Sequence, residues 1–439
     1  MSSAEQSLRW VPLDNAAKIY PAARTKTWSN VFRLSVTLTE TVDVDLLQEA
    51  LDGIIKRFPT IAARLRRGVF WYYLQEVSQA PAVGREHSFP LVPMGREELR
   101  RCAFRVIVYR RRIAVEFFHA LTDGNGGLIF LKTLTAEYLR RKYGAEIPAE
   151  RGVLDPNEAP DPAELEDSFL KYAAPVRASW KDTDAWRLEG QPEADGFRHV
   201  TCLQMSAEKL LQIARSYGVS VTSLLAAAMM KALLELQAEQ VSDRRKRKHI
   251  KVLIPVNLRK LFPSRTLRNF VLYTTPSADP RLGDYSIPEL CKLVQHHMGM
   301  EVTAKQMSRL IAVNVRSEQI MALRVTPLFL KNMVMKAVFQ AVGERKSCLS
   351  LSNLGVVDAP EAMRPYVERF DFILGVQATS PYNCGVITWN DRVVLTLIRN
   401  TTRPVLEYRL FQVLQSLGVE VTADSNNNHL PDRMEVPGL

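Results

Sequence analysis

The sequence predicts a mixed architecture of helices and strands in two halves of similar size, α/β or α+β in class. Three observations carry that prediction. Alternating, β-branched segments are interleaved with segments of helical period along almost all of the 439 residues. An acid-, proline- and alanine-rich stretch, EIPAERGVLDPNEAPDPAELED, breaks the pattern near the middle. A hydrophobic content of 46% over this length is enough for more than one packed core. The chain therefore divides into a first lobe at 1–145, a crossing linker at 146–197 and a second lobe at 198–439.

Each element has its own reason. WSNVFRLSVTLTE at 28–40 alternates like a strand. A helix over 44–57 follows, with Asp43 as its N-cap, Leu46, Leu47, Ala50, Leu51, Ile54 and Ile55 on one face, and Phe58-Pro59 as its stop. VFWYYLQEV at 69–77 is the next strand, and AFRVIVY at 103–109 with IAVEFF at 113–118 form a hairpin about the charged turn Arg110-Arg111-Arg112. Residues 128–143 are amphipathic and helical, approached through Gly124, Gly126 and Gly127. The second half offers a strand at 198–205, a helix at 207–216, a buried small-residue helix TSLLAAAMMKALLEL at 222–236 and a strand at 250–256. A helical stretch from about 286 to 343 and strands near 348–352, 370–379, 384–389 and 392–399 complete it.

Composition narrows the class of function. The formal charge of +11 suits an anionic partner such as a nucleotide-bearing cofactor, an acidic carrier protein or a peripheral membrane contact. The densest basic run, Arg244 to His249, reads as a solvated turn, as charge runs usually are, with contact to phosphates as the alternative, and the absence of an interleaved aromatic motif or a zinc finger argues against nucleic acid. Five cysteines, widely spaced and never as C-x-x-C, suggest buried thiols and neither a disulfide framework nor a zinc site. The N-terminus lacks the basic-then-apolar pattern of a secretory signal, so the expectation is a cytoplasmic protein.

The segment that carries chemistry is FFHALTDGNGG. His119 stands where a strand ends beside glycine-rich backbone, and a neutral imidazole is the side chain best suited to take a proton near pH 7. Asp123, four residues on, either orients His119 directly or fixes the loop by pairing with a distant cation. No G-x-S-x-G elbow is present, so a covalent serine mechanism has no support. Ser352 and Asn353 follow another strand and precede Gly355, where a hydroxyl and an amide could face a substrate or simply form a turn. His296 and His297 adjoin on a helix and point in different directions, which does not suit a shared metal. The methionines at 229, 230, 298, 300, 307, 321, 333 and 335 read as adaptable core, with an acyl channel as the alternative.

HALTDG at 119–124 resembles the H-x-x-x-D-G motif of the chloramphenicol acetyltransferase-like superfamily, which includes plant BAHD acyltransferases, condensation domains, wax ester synthases and bacterial alcohol acetyltransferases. Further segments are similar to that superfamily in the same order: ALDGIIKRFPTIAARL at 50–65, VSVTSLLAAAMMKAL at 219–233, IPVNLRKLFPSRTLRNF at 254–270, LSNLG at 351–355 and SPYNCGVITWNDRVVLTL at 380–397. Phe118 stands where condensation domains usually carry a second histidine, the D-F-G-W-G of the BAHD group is absent, and the final proline of the wax ester synthase S-N-V-P-G-P is missing. The chain is most similar to the bacterial alcohol acetyltransferases, placed by elimination, and to wax ester synthase-like proteins, which it resembles most at the tail.

The resemblance implies a two-lobed fold with a tunnel between the lobes and His119 at its middle. It implies acyl transfer from an acyl-coenzyme A co-substrate to an alcohol or amine acceptor, with His119 as general base and no bound cofactor or metal. Asp123 and Gly124 would shape the loop, Asp123 held by Arg259 from the second lobe. Ser352 and Asn353 would be candidates to meet the oxyanion. The alternatives are a stand-alone condensation-type enzyme fed by a carrier-protein thioester, and a non-catalytic binding protein that keeps the fold.

Overall fold

The computed structural model describes residues 9–24, 30–173, 183–193, 196–319, 326–338, 346–376 and 380–426. Among these residues the strands form two large mixed sheets and one small one. The first large sheet runs in the order Val367–Ile373, Val31–Leu38, Arg112–Phe118, Phe104–Tyr109 and Gly84–Arg85. Its centre is the predicted hairpin, which pairs Phe104 with Phe117 and Tyr109 with Arg112. The second runs Val271–Thr274, Ile250–Asn257, Leu349–Val356, Tyr382–Trp389, Arg392–Arg399, His199–Ser206 and Thr422–Ser425, with Ser277–Ala278 also on Ile250–Asn257. Trp10–Pro12, Tyr72–Glu76 and Ala63–Arg67 make the small sheet.

One strand departs from the division read in the sequence. Val367–Ile373 belongs by position to the second half, yet it pairs antiparallel with Val31–Leu38 and forms the edge of the first sheet. Its apolar side chains explain the exchange, since Phe370 and Phe372, two residues apart and so on one face, are buried with the core residues of the first half, and Trp389 packs edge-on against Phe370. The two sheets come close enough here that a Cβ on Gly385 would sit 2.2 Å from the Phe372 carbonyl oxygen, so only glycine fits.

The helices follow their apolar faces. Val44–Ile54 is capped by Asp43, whose carboxylate accepts from the Asp45 and Leu46 N–H groups, and a short 3-10 turn continues it through Arg57. Val221–Gln240 is long and apolar enough to cross a membrane by length and composition, but most of it is buried. Leu224, Ala228, Leu233 and Leu236 place it at the heart of the second core. The expected helical stretch at 286–343 is interrupted at 302–303 and 326–327: Ile287–Glu301, Ala304–Gln319 and Leu328–Val338 are separate helices, and residues 320–325 and 339–343, like residues 377–379 of the expected strand near 370–379, lie outside the described residues. Within the linker, Pro162–Leu165 and Ser168–Tyr172 are short helices, and Glu164 forms a buried two-pronged ion pair with Arg57 at 2.6 and 2.9 Å. All five cysteines are free and buried.

Candidate active site

His119 follows the last residue of the strand Arg112–Phe118, and its backbone N–H still donates to the Asn30 carbonyl of the neighbouring strand at 2.8 Å. The ring is therefore aimed by a sheet. It lies on Tyr20, with ring centroids 4.6 Å apart, and meets Phe32 edge-on at 4.9 Å. Burial among these rings lowers its pKa, against the opposing pull of its own backbone, Asp123 and Asn269. The neutral imidazole is thus the resting form at neutral pH.

A second-half residue sets the tautomer. Nδ1 of His119 is 3.0 Å from Oδ1 of Asn269. The amide orientation is decided by its other end, because Nδ2 of Asn269 donates to the His119 carbonyl at 3.0 Å and to the Asp14 carboxylate at 3.2 Å, and both partners are acceptors. Oδ1 must then face the ring, Nδ1 carries the proton, and Nε2 keeps its lone pair. Asp14, buried beside Arg268, has its own pKa pushed up by that burial to about 6. The relay Asp14, Asn269, His119 joins an entry segment, the second lobe and the first.

Asp123 does not touch His119. It caps the helix Gly124–Tyr143, where Oδ1 accepts from the Asn125 and Gly126 N–H groups, each at 3.1 Å. Its Oδ2 accepts from Arg259 Nη1 at 2.7 Å and from the Phe270 N–H at 2.9 Å. The ion pair between halves is present, through one guanidinium nitrogen; the others donate to the carbonyls of Thr266 and Arg268. Gly124 begins that helix against the Leu354 side chain. The glycines at 124, 126 and 127 are its first turn, not an approach to it. A Cβ on Gly126 would lie 2.2 Å from the Leu267 carbonyl oxygen and 2.2 Å from Thr122 Oγ1, so the second lobe packs directly on the helix start.

These groups line one cavity of about 270 Å³ between the two large sheets, which takes in His119, Tyr20, Phe32, Asn269, Ser352 and Leu354. Ser352 is buried on Leu349–Val356, and its hydroxyl makes no hydrogen bond to another described residue. Asn353 also lines the cavity, but its amide is spent: Oδ1 accepts from Gly355 N–H at 2.8 Å and Nδ2 donates to Thr222 Oγ1 at 3.0 Å. Turn chemistry therefore holds Asn353, while Ser352 keeps a free hydroxyl. The basic run forms a 3-10 turn at Arg244–Lys246, and neither it nor the described methionines line the cavity, Met321 lying outside the described residues. His297 donates to or accepts from Thr274 Oγ1 at 3.0 Å, and no group of three metal-ligating side chains occurs among the described residues.

Sequence reasoning missed Asn269, Tyr20 and Asp14. Asn269 was within reach, since it is the asparagine of the segment 254–270 quoted for the resemblance, with Arg268 before it in place of glycine. Nothing periodic marks Asp14 or Tyr20.

No family model and no curated protein matches the sequence. Solved structures do match. TRI101 of F. graminearum, in complex with coenzyme A and T-2 mycotoxin, superposes with a TM-score of 0.62 at 10% identity, covering 94% of this chain and 99% of that one. The TRI3 trichothecene 15-O-acetyltransferase of Fusarium sporotrichioides gives 0.59 at 11% identity, with 95% and 96% covered. A wax ester synthase/diacylglycerol acyltransferase from Marinobacter aquaeolei VT8 gives 0.54 at 14% identity, with 93% and 100% covered. At these identities the likeness speaks for architecture, and over nearly its whole length this chain has the two-lobed chloramphenicol acetyltransferase-like fold that acyltransferases and condensation domains share.

Proposed function

We propose that this protein transfers an acyl group from an acyl-coenzyme A thioester to a hydroxyl, or to an amine, with His119 as general base. The observation that carries the reading is the proton on Nδ1 of His119, held there by Asn269, which leaves Nε2 as a base inside a cavity shared by both lobes. In the reaction, Nε2 takes the proton of the acceptor as its oxygen attacks the thioester carbonyl carbon. The C–S bond then breaks as the tetrahedral oxyanion collapses, and the imidazolium returns the proton to the departing thiolate. Ser352 Oγ, unpartnered on the cavity wall, is the side chain placed to donate to that oxyanion. Asp123 and Arg259 act by shaping the loop and not on the reacting atoms. The coenzyme A neighbours support the donor class.

The test is thiol release from acyl-coenzyme A thioesters of several chain lengths against a panel of alcohols and amines. His119→Ala should lower turnover by about a hundredfold or more in a protein that still folds. Near wild-type turnover by the folded variant would remove His119 from the chemistry.

A further inference from the structure

A second cavity, of about 590 Å³, is lined in part by the short helix Ile19–Ala23 and the residue that follows it. Tyr20 stacks on the histidine, while Pro21 and Arg24 line this cavity. Among the described residues five arginines line the space, Arg24, Arg66, Arg67, Arg96 and Arg100, and no acidic residue does.

Most of that charge has no ion-pair partner among the described residues. Arg100 pairs with Glu97 at 2.8 Å. Arg66 gives only its Nε, to Gln75 Oε1 at 2.9 Å, which leaves both terminal nitrogens. Arg24, Arg67 and Arg96 make no ion pair with another described residue. Glu98, the carboxylate closest at hand, is taken up by Arg105 at 3.0 Å and by the Gly95 N–H at 3.2 Å. Burial lowers the pKa of Arg24 and the nearby Arg96 lowers it further, against the smaller opposing pull of Tyr72 and Glu98, so the two guanidiniums repel across the cavity. The arginines come from three separate elements: the end of Ile19–Ala23, the strand Ala63–Arg67 and the helix Arg96–Arg101. Like charges assembled from separate elements cost free energy unless an anion joins them, and unpaired guanidiniums suit phosphate oxygens.

We propose that Arg24, Arg66, Arg67 and Arg96 form a binding site for a phosphate-bearing anion, at the short helix whose Tyr20 stacks on His119. Two sources supply that chemistry. One is the phosphates of coenzyme A, and only this assignment rests on the acyltransfer reading. The other is an anionic lipid headgroup, because Asn332, which lines the cavity, shares the helix Leu328–Val338 with Phe329 and Met333, 57% and 68% exposed.

The experiment compares the wild type with the double variant Arg67→Gln, Arg96→Gln, chosen because neither side chain bonds to another described residue. Calorimetry with adenosine 3′,5′-bisphosphate and with inorganic pyrophosphate tests the first source. Sedimentation with phosphatidylglycerol vesicles, against phosphatidylcholine vesicles, tests the second. At least one anionic probe should bind the wild type and bind the variant about tenfold or more weakly, as loss of charge-assisted hydrogen bonds requires. Arginine-dependent binding of bisphosphate assigns the nucleotide source; arginine-dependent binding of phosphatidylglycerol alone assigns the lipid. Equal binding to both proteins, or no binding to the wild type, overturns the site. Should no acyl-coenzyme A support transfer while bisphosphate binding stays arginine-dependent, the acyltransfer reading falls and the site stands.

Discussion

His119 lies on Tyr20 and against the edge of Phe32, and this burial moves its pKa below the ordinary 6.5. The base form is then fully present at neutral pH and is lost only as pH falls through the lowered value. The acid limb of kcat/KM against pH should accordingly have its midpoint below 6.5. Asn269 adds a second handle, because its Oδ1 accepts from the imidazole. Asn269→Ala should lower kcat by about tenfold or more, the worth of one charge-assisted hydrogen bond in the transition state, with little change in KM. Its removal should also displace the acid limb downward, since this hydrogen bond raises the histidine pKa. A variant that melts earlier but keeps kcat and the pH limb would reduce Asn269 to a packing residue. His119 was legible from its place at a strand end; Asn269 was not, because the two are 150 residues apart and no local pattern records such a contact.

At the scale of elements, the start of the helix Gly124–Tyr143 joins the two halves. Asp123 uses one carboxylate oxygen to cap that helix and the other to hold Arg259 and Phe270 N–H. An asparagine there can satisfy one side only, because its NH₂ would face donors on the other. Asp123→Asn should therefore cost about 3–5 kcal/mol in denaturant unfolding, the usual consequence of breaking a buried pair. Unchanged melting with activity abolished would return Asp123 to the chemistry. Gly126 belongs to the same joint, with the Leu267 carbonyl where its Cβ would be. The strongly periodic elements, such as Val44–Ile54 with its Asp43 cap and the hairpin over Phe104–Phe118, were readable from spacing alone. Val405–Ser416, Ala63–Arg67 and the entry segment were not, since short or weakly patterned stretches take their form from what they pack against. The pairing of Asp123 with Arg259 was reached only through the resemblance, for spacing names no partner 136 residues away.

For the whole molecule, the candidate base lies in the first half and its orienting, pairing and hydroxyl-bearing partners lie beyond residue 250. The first sheet is also incomplete without Val367–Ile373. A fragment ending near Gln191 should be insoluble or inert, because it would expose the edge of Val31–Leu38 and the apolar face that the second lobe covers. Acyl transfer by a soluble, purified fragment of that length would show the chemistry complete within one lobe. The borrowed strand has a temporal side as well. Ser35 and Asp371, neighbours across that edge, are 336 residues apart in the chain. At typical rates of synthesis the ribosome needs about half a minute to travel that distance. For all of it, the nascent chain carries an open strand edge that chaperones must shield or that other nascent chains can take.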